Sequence, residues 1–238
     1  MLRKLPVYLI FIILRAFCWS SDSVASTMTI KEPKIIPLPE PALRGNISIE
    51  SAINARRSIR SFSREPLSRT DMAQLLWSAQ GITDRQGFRA APSAGALYPL
   101  EIYLVAGSIK GLEPAVYRYV PAGHSLVQVK AGDIRDTLTG AALGQQSIAR
   151  APASLVIAAV YQRTARKYGA RAERYVHIEA GHAAQNILLQ AAAIELGTVV
   201  IGAFEDDTVK KVLNLPADNE PLTIIPIGFP KSPGFPWK

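Results

Sequence analysis

Three arginines and a serine stand close together in the segment ARRSIRSF, residues 55–62. The planar guanidinium groups of Arg56, Arg57 and Arg60 can bind phosphate oxygens in pairs, and the hydroxyl of Ser58 adds a donor. The segment is therefore predicted to bind a phosphate group. A solvated basic face and a patch for nucleic acid are the alternatives that the segment by itself leaves open.

Small residues make up most of the stretch PSAGALYP, residues 92–99. Pro92, Ser93, Ala94 and Gly95 leave the backbone almost bare, so the main chain can approach a flat ring. The alternative is a plain loop before a strand, because Gly, Ser and Pro are common in loops. The stretch is a candidate surface for an aromatic ligand.

Two histidines and a glutamate, His177, Glu179 and His182, share one predicted helix. Metal ligands on one helix face are usually three or four residues apart, whereas these histidines are five apart. No Cys or Asp cluster supports them. We therefore predict that the protein binds no metal.

The elements that position these residues follow from hydrophobic periodicity and from turn residues. Helices are predicted at Ile49 to Arg57, from the capping box of Ser68 and Asp71 to Gly81, at Gly132 to Leu143, at Ala172 to Leu196, and from Asp206 or Asp207 to Leu213. Strands are predicted at Glu101 to Ala106, Ala115 to Val120, Ser125 to Lys130, Ala153 to Tyr161, Thr198 to Ala203 and Leu222 to Phe229. Because helices and strands mix without strict alternation, the pattern predicts an α+β fold rather than a doubly wound sheet.

The first 25 residues have the pattern of an export signal. Arg3 and Lys4 precede the apolar run Leu5 to Phe17, and the small residues Ser23 to Ala25 offer a cleavage site. We therefore predict a signal peptide over residues 1–25 and an exported, periplasmic protein. The alternative is an uncleaved segment that anchors the chain in the membrane, although the run is short for a span of about 20 residues.

The cysteine content and the net charge limit the possible reactions and partners of the protein. The single cysteine, Cys18, lies in the predicted signal peptide, so the mature chain would have no thiol for a disulfide, a nucleophile or a metal. Redox chemistry would therefore require a cofactor. The formal net charge is +8, but nucleic acid is disfavoured as a partner, because an exported protein seldom meets it and the arginine segment lacks an aromatic stacking platform.

Four prolines alternate with apolar residues in EPKIIPLPEPAL, residues 32–43. This composition favours an extended polyproline conformation over a helix. Residues 26–48 are therefore predicted to form an extended arm that leads into the domain of residues 49–238 or lies across a partner subunit.

Five motifs follow one another along the chain: RRSIRSF, PSAGALYPLEIYLV, KYGARAERYVHIEAGHAAQNILLQAA, GTVVIGAFEDDTVKKVLNLP and EPLTIIPIGFP. In this order they resemble the nitroreductase-like flavoprotein family. More closely, the sequence resembles the SagB-type dehydrogenase branch, which includes oxidases that aromatise thiazolines and oxazolines in modified peptides. The resemblance covers residues 49–230.

The resemblance implies a nitroreductase-like fold, with a central, mainly antiparallel sheet flanked by helices, in an intertwined homodimer that holds FMN between its subunits. The FMN phosphate and ribityl chain would be held by Arg56, Arg57, Ser58 and Arg60. Lys231, just past the last strand, would add to the phosphate site. The flavin would be reached from the other subunit by Pro92, Ser93, Ala94 and Gly95. The isoalloxazine ring would lie against Val200, Ile201, Gly202 and Ala203.

A lysine and a tyrosine, Lys167 and Tyr168, precede the longest predicted helix. In azoline oxidases of the branch, a Lys-Tyr pair at the matching place is tied to catalysis. The chemistry is reasonable, because oxidation removes a proton together with a hydride, and a lysine or a phenol can take that proton. The alternative is that Lys167 is one of five cations between Arg163 and Arg174, and that Tyr168 only packs.

The reaction implied by the resemblance is hydride transfer between FMN and a small-molecule or peptide-borne substrate. Nitroreductase-type enzymes generally take electrons from NAD(P)H, which is scarce outside the cytoplasm. Export would therefore favour oxidation of the substrate, with oxygen or a membrane carrier as the electron acceptor. The alternatives are an NAD(P)H-dependent nitro or quinone reductase, a flavin-binding module without turnover, and a basic protein that binds anionic polymers.

Overall fold

The computed structural model of the chain describes residues 34–232 and 235–236. The predicted signal peptide and the first residues of the predicted arm lie outside these ranges. Within them, no helix is both long enough and apolar enough to cross a membrane.

A single antiparallel sheet of seven strands forms the centre of the described chain, in the order β1-β4-β3-β2-β5-β7-β6. The strands are β1 (Ile35–Pro37), β2 (Leu100–Ala106), β3 (Ala115–Val120), β4 (Ser125–Ala131), β5 (Ala153–Ala159), β6 (Gly197–Thr198) and β7 (Glu220–Gly228). The helices are α1 (Ile49–Ala55), α2 (Arg69–Gln80), α3 (Arg135–Ala141), α4 (Gln146–Arg150), α5 (Tyr161–Tyr168), α6 (Ala172–Ala193) and α7 (Asp206–Leu213). The predicted α+β fold is confirmed.

Both faces of the sheet are covered, because side chains alternate along its central strands. On β2, Ile102 and Leu104 face a core that α2 and α6 complete, whereas Tyr103 and Val105 face a second core formed with α3 and α7. Every residue of β5 is buried, as is expected of a strand that is apolar except for Ser154. The chain leaves the sheet after Ala159, so Tyr161 begins α5 instead of ending the predicted strand.

The predicted start of α2 is confirmed in detail. The hydroxyl of Ser68 accepts a hydrogen bond from the Asp71 amide at 3.0 Å, and the Asp71 carboxylate accepts one from the Ser68 amide at 2.9 Å. This capping box satisfies two amides that have no partner inside the helix. The helix ends before Gly81, as predicted.

Further sequence predictions also differ from the structure. The predicted strand at 198–203 is shortened to β6, because beyond Thr198 the sheet pairing is limited to one bridge between Ile201 and Ile224. The helix α7 has Glu205 as its N-cap, and neither Asp206 nor Asp207 caps it. The hydrophobic periodicity of residues 172–196 predicts Ile178 on the buried face of α6, but Ile178 is 49% exposed.

Part of the predicted arm is an edge strand of the sheet, since β1 pairs with β4 of the same chain. The arm is also held by side chains of the body. The imidazole of His124 donates from Nε2 to the Pro39 carbonyl at 2.9 Å. The amide of Gln74 accepts from the Ala42 N–H at 2.8 Å and donates to the Ala42 carbonyl at 3.1 Å.

Candidate functional site

The arginine segment runs along the edge of the sheet immediately after α1. The Ile59 amide donates to the Thr198 carbonyl at 2.9 Å, and Ser58 forms a parallel bridge with Thr198. Ile59 packs against Gly197, where a β-carbon would lie 2.8 Å from its Cγ2 atom. The absence of a side chain at Gly197 therefore lets the segment lie close to β6.

The four residues predicted to hold a phosphate differ in how freely they can reach a ligand. Arg57, Ser58 and Arg60 are exposed, and Arg56 is half-buried. The guanidinium of Arg57 donates to the carbonyls of Asn54 and Arg56, both at 2.8 Å. Arg57 thus caps the carboxyl end of α1, where a positive charge is favourable.

Lys231 lies beside this segment, because its amide donates to the Ser61 carbonyl at 3.0 Å. It lines a cavity of about 860 Å³ together with Arg64, Arg135 and Arg150. Arg135 is already paired with Asp133 at 2.6 Å, and hydrogen bonding from that guanidinium lowers the pKa of the Asp133 carboxyl. Arg64 and Arg150 were missed by the sequence analysis, although Arg64 follows Arg60 by only four residues.

The residues predicted to face a flavin ring form a bare surface next to the arginine segment. Ile201 is buried and exchanges two backbone hydrogen bonds with Ile224, at 2.8 and 2.9 Å. Its neighbours Val200, Gly202 and Ala203 are exposed, and a β-carbon on Gly202 would meet nothing within 4 Å. The first group of candidate residues, 56–60 with 200–203 and Lys231, is therefore continuous in space.

The loop after Pro92 has an unusual backbone. The dihedral angle φ is +64° at Gly95, +54° at Ala96 and +47° at Tyr98. A left-handed conformation costs roughly 1 to 3 kcal/mol at each residue other than glycine. Two contacts hold it: the Ser93 hydroxyl accepts from the Tyr98 amide at 2.9 Å, and Arg163 donates to the Tyr98 carbonyl at 3.0 Å.

Lys167 and Tyr168 lie directly against this loop. A β-carbon on Gly95 would be 2.9 Å from the Tyr168 hydroxyl and 3.0 Å from Lys167 Nζ. The Tyr168 ring packs edge-on against Tyr175, with centroids 4.9 Å apart. Residues 92–95 with Lys167 and Tyr168 therefore form a second group. Both residues lie at the end of α5, in a segment where the sequence analysis predicted no helix.

Two further charged residues, Glu179 and Arg89, lie near the loop. Glu179 is 2% exposed, and burial raises its pKa to about 7, while hydrogen bonding from Ser93 and the charge of Arg89 oppose that rise. The Arg89 guanidinium lies 4.4 Å from the centroid of the Tyr98 ring and donates to Gln80 Oε1 at 2.9 Å. The sequence feature that could have identified Glu179 is a charged residue on the apolar face of α6, between Val176 and Ala183.

The two histidines of α6 are both exposed. His177 forms a 2.6 Å hydrogen bond through Nε2 with the Tyr161 hydroxyl. Among the residues that the structure describes, no three His, Cys, Asp or Glu side chains gather as metal ligands would.

The two groups of candidate residues are separated along α6. Ala192 packs against Ala55, next to the arginine segment, whereas Glu179 lies near the loop, where Ser93 acts to lower the pKa of its carboxyl. These two positions are thirteen residue steps apart on the helix, which corresponds to roughly 20 Å at 1.5 Å per residue.

The seven-stranded antiparallel sheet with flanking helices has the nitroreductase fold. A solved nitroreductase-like structure from Ralstonia eutropha superposes with a TM-score of 0.73 at 29% identity, covering 83% of this chain and 90% of that one. The family model described as "Nitroreductase family" matches residues 53–229, and the chain belongs to the nitroreductase family.

Two curated relatives illustrate the range of that family. Protein MJ1384 of Methanocaldococcus jannaschii, which carries the name nitroreductase, is 44% identical over 182 residues, covering 76% of this chain and 91% of the relative. The microcin B17-processing protein McbC of Escherichia coli is 27% identical over 186 residues, covering 74% of this chain and 68% of the relative. The protein is thus an oxidoreductase of this family.

Proposed function

We propose that the protein is an FMN-dependent oxidoreductase of the SagB-type dehydrogenase branch, transferring hydride between the flavin and a small-molecule or peptide-borne substrate. The observation that carries the proposal is the bridge between Ser58 and Thr198. It holds an exposed basic segment beside the exposed surface that begins at Val200. A phosphate and a flat ring of one cofactor could be bound side by side there.

The residues present fit FMN. Arg56, Ser58 and Arg60 would hold the phosphate, because two guanidinium groups and a hydroxyl suit a dianion. Val200, Gly202 and Ala203 would support the ring, since their side chains are small or apolar and a β-carbon on Gly202 would meet no atom within 4 Å. Bound FMN would supply hydride transfer, which the side chains of this chain cannot perform alone.

Lys167 and Tyr168 would handle the proton of the reaction. Both polar ends come within about 3 Å of one point, the position of a β-carbon on Gly95. An ammonium and a phenol that both face this point can each pass a proton to or from a substrate bound there. The proposed role is therefore general acid–base catalysis at the Tyr168 hydroxyl, with Lys167 as its partner.

A homodimer would bring the two groups of residues to one flavin. A separation of roughly 20 Å along α6 favours a site in which one subunit supplies residues 56–60 and 200–203. The other subunit would supply 92–95 with Lys167 and Tyr168. Large apolar side chains suited to such an interface lie exposed on the arm, α1 and α6: Leu43 (79%), Ile49 (55%), Ile53 (58%) and Ile178 (49%).

The relatives support different substrates and electron partners. The similarity to McbC, a microcin B17-processing protein, supports a peptide-borne substrate. The predicted export supports oxygen or a membrane carrier as the electron acceptor. The higher identity to MJ1384 supports the second candidate, an NAD(P)H-dependent nitro or quinone reductase. A flavin-binding module without turnover is the third.

The absorption spectrum of the purified protein, taken after addition of FMN and gel filtration, tests the assignment. We expect the visible flavin bands to remain with the protein, at one flavin per subunit. A folded but colourless protein would overturn the assignment of the arginine segment. Anaerobic mixing of the holoprotein with NADPH then separates the two catalytic candidates, since rapid bleaching supports the reductase.

The export proposal has its own test. The basic and apolar pattern of residues 1–25 supports a periplasmic protein with a cleaved signal peptide, or a membrane-anchored one if cleavage does not occur. Cell fractionation followed by N-terminal sequencing distinguishes these outcomes. Recovery of the uncleaved chain in the cytoplasm would contradict both.

A further inference from the structure

The side chain of Arg163 joins three parts of the fold. Its Nη1 atom donates to the Tyr98 carbonyl at 3.0 Å, and its Nη2 atom donates to the carboxylate of Glu101. Arg163 belongs to α5, Glu101 to β2, and Tyr98 to the loop that contains Gly95. Because a guanidinium group is planar and rigid, contacts at both terminal nitrogens fix its position. Arg163 therefore holds α5 against the end of the loop and the start of β2.

The loop residue that Arg163 contacts has a strained backbone. Tyr98 has a φ of +47°, which is unfavourable for a residue with a bulky side chain. Its amide donates to the Ser93 hydroxyl at 2.9 Å, and its carbonyl accepts from Arg163. The next carbonyl, that of Pro99, accepts from the Val160 amide at 2.8 Å, just before α5. Such a conformation persists only where its surroundings hold it, so loss of the Arg163 contact should loosen the loop.

The same helix contacts the loop at a second place. Lys167 follows Arg163 by four residues on α5, so the two side chains leave one face of the helix one turn apart. The position of a β-carbon on Gly95 is 3.0 Å from Lys167 Nζ and 2.9 Å from the Tyr168 hydroxyl. The helix thus meets the middle of the loop through Lys167 and Tyr168, and the end of the loop through Arg163. These two contacts set the orientation of the loop relative to the helix.

The ion pair between Arg163 and Glu101 does not by itself explain the arrangement. Partly exposed ion pairs contribute little to stability, and the side chain of Arg163 is 39% exposed. Glu101 also has a second cation, since Arg118 Nη1 lies 3.5 Å from its carboxylate. The contact that distinguishes Arg163 from Arg118 is the hydrogen bond to the Tyr98 carbonyl. The role of Arg163 is therefore geometric.

We propose that Arg163 is a positioning residue for the proposed proton transfer. By binding the Tyr98 carbonyl, it keeps loop 93–98 seated on α5, so that Lys167 and Tyr168 face the same point beside Gly95. Arg163 acts through these two residues and has no contact of its own with the substrate in this proposal. The proposal rests on the function proposed above for Lys167 and Tyr168.

The first measurement is hydrogen–deuterium exchange of the protein as purified, in the wild type, Arg163→Met and Arg118→Met. Arg118→Met is the matched control, because it removes the other cation of Glu101 from a side chain 40% exposed, and Arg118 makes no hydrogen bond to the loop within the described residues. We expect the amides of residues 93–98 to exchange at least about tenfold faster in Arg163→Met alone, since the loop opens more often. Wild-type exchange in Arg163→Met would overturn the proposal.

The second measurement separates a positioning role from a purely structural one. Menadione oxidises the reduced holoprotein in a single turnover, in which the quinone takes a hydride from the flavin and a proton from the site and becomes a hydroquinone. We expect Arg163→Met to slow this step at least about tenfold. In a protein that already has Lys167→Ala and Tyr168→Phe, the same substitution should slow it less than about twofold, because the residues that Arg163 positions are gone. Equal slowing in both proteins would overturn the proposal.

A second substitution covers the case in which Arg163→Met does not fold. Arg163→Lys keeps a charge near Glu101, but a single ammonium does not reproduce the paired contacts of the guanidinium group. Wild-type exchange and turnover in Arg163→Lys would overturn the proposal. If the wild-type holoprotein does not reduce menadione, the proposed chemistry of Lys167 and Tyr168 fails in this assay. The exchange comparison then still decides whether Arg163 holds the loop on α5.

Discussion

The Tyr168 hydroxyl lies 2.9 Å from the point where a β-carbon on Gly95 would sit. This contact joins a loop that is predicted to reach a flavin to a residue that is predicted to move a proton. It also explains why the loop has glycine at this position, since φ is +64° and the space is taken.

Replacing Gly95 by alanine should affect turnover more than stability. The left-handed backbone would cost roughly 1 to 2 kcal/mol, and the crowding would be relieved by small shifts of Lys167 and Tyr168. Because misplaced catalytic groups can cost up to about 100-fold, we expect turnover to fall at least tenfold. Urea unfolding and steady-state kinetics measure the two effects.

Gly132 provides the matched control for that variant. Its φ is +95°, and a β-carbon there would meet no atom within 4 Å. Gly132→Ala should lose similar stability but keep full turnover. Equal turnover in the two variants would contradict a catalytic arrangement at Gly95.

Lys167→Ala and Tyr168→Phe should each leave FMN bound and slow the reaction. General acid–base groups typically contribute about 10² to 10⁴ in rate, and single-turnover kinetics of the holoprotein would reveal the loss. Arg166→Ala, which removes an exposed cation one residue away, is the control. If turnover in both variants matches that of Arg166→Ala, the pair only packs.

The arginines of the phosphate segment should differ in their effect on FMN affinity. Arg60→Ala should weaken binding about 10- to 100-fold, because charged hydrogen bonds contribute roughly 1.5 to 3 kcal/mol. Arg57→Ala should weaken it less, since Arg57 already donates to the Asn54 and Arg56 carbonyls. Fluorescence titration with FMN and with riboflavin provides the measurement. An equal loss of riboflavin affinity in Arg60→Ala would argue against a phosphate contact.

The stability of the protein should depend on pH through Glu179. Its pKa of about 7 in the folded state lies above the ordinary value of 4.5. The folded state therefore binds this proton more tightly than the unfolded state. The contribution of Glu179 is most favourable below pH 4.5, and roughly 3 kcal/mol is lost as pH rises through 7.

The difference in unfolding free energy between wild type and Glu179→Gln, measured in urea from pH 5 to pH 8, isolates that contribution. We expect the wild type to lose stability relative to the variant up to about pH 7 and the two curves to run parallel above that pH. Glu173→Gln, on the exposed side of α6, should reproduce the wild-type curve. A constant difference over the whole range would mean that the carboxyl is not shifted.

The proposed dimer predicts the effect of a charge on its apolar surface. Ile53→Asp should give monomers with weak FMN binding, because α1 would lose a contact and a charge would be buried. Leu143→Asp is the control, because Leu143 is 61% exposed and lies outside the arm, α1 and α6. Analytical ultracentrifugation with FMN titration measures both properties. A monomeric wild type that binds FMN fully would contradict the shared site.

Much of the fold was determined locally in the sequence. The run of residues 153–159 is apolar except for Ser154 and predicts a buried strand, and the Ser68 and Asp71 pair fixes the start of α2 by hydrogen bonds three residues apart. The basic segment and the small-residue loop could also be recognised from the sequence, because each is one continuous stretch of the chain. Boundaries were less certain at Tyr161 and at 198–203, where strand pairing rather than local propensity decides the end of the element.

Only the tertiary structure decided which of these segments meet. Residues far apart in sequence, such as Gly95 and Tyr168 or Ser58 and Thr198, come together through packing on α6 and on the sheet edge. Burial is likewise a property of the whole fold, so the shifted pKa of Glu179 and the exposure of Ile178 could not be inferred from residue type. The sequence determined the chemical groups, and long-range packing determined their distances and their solvation.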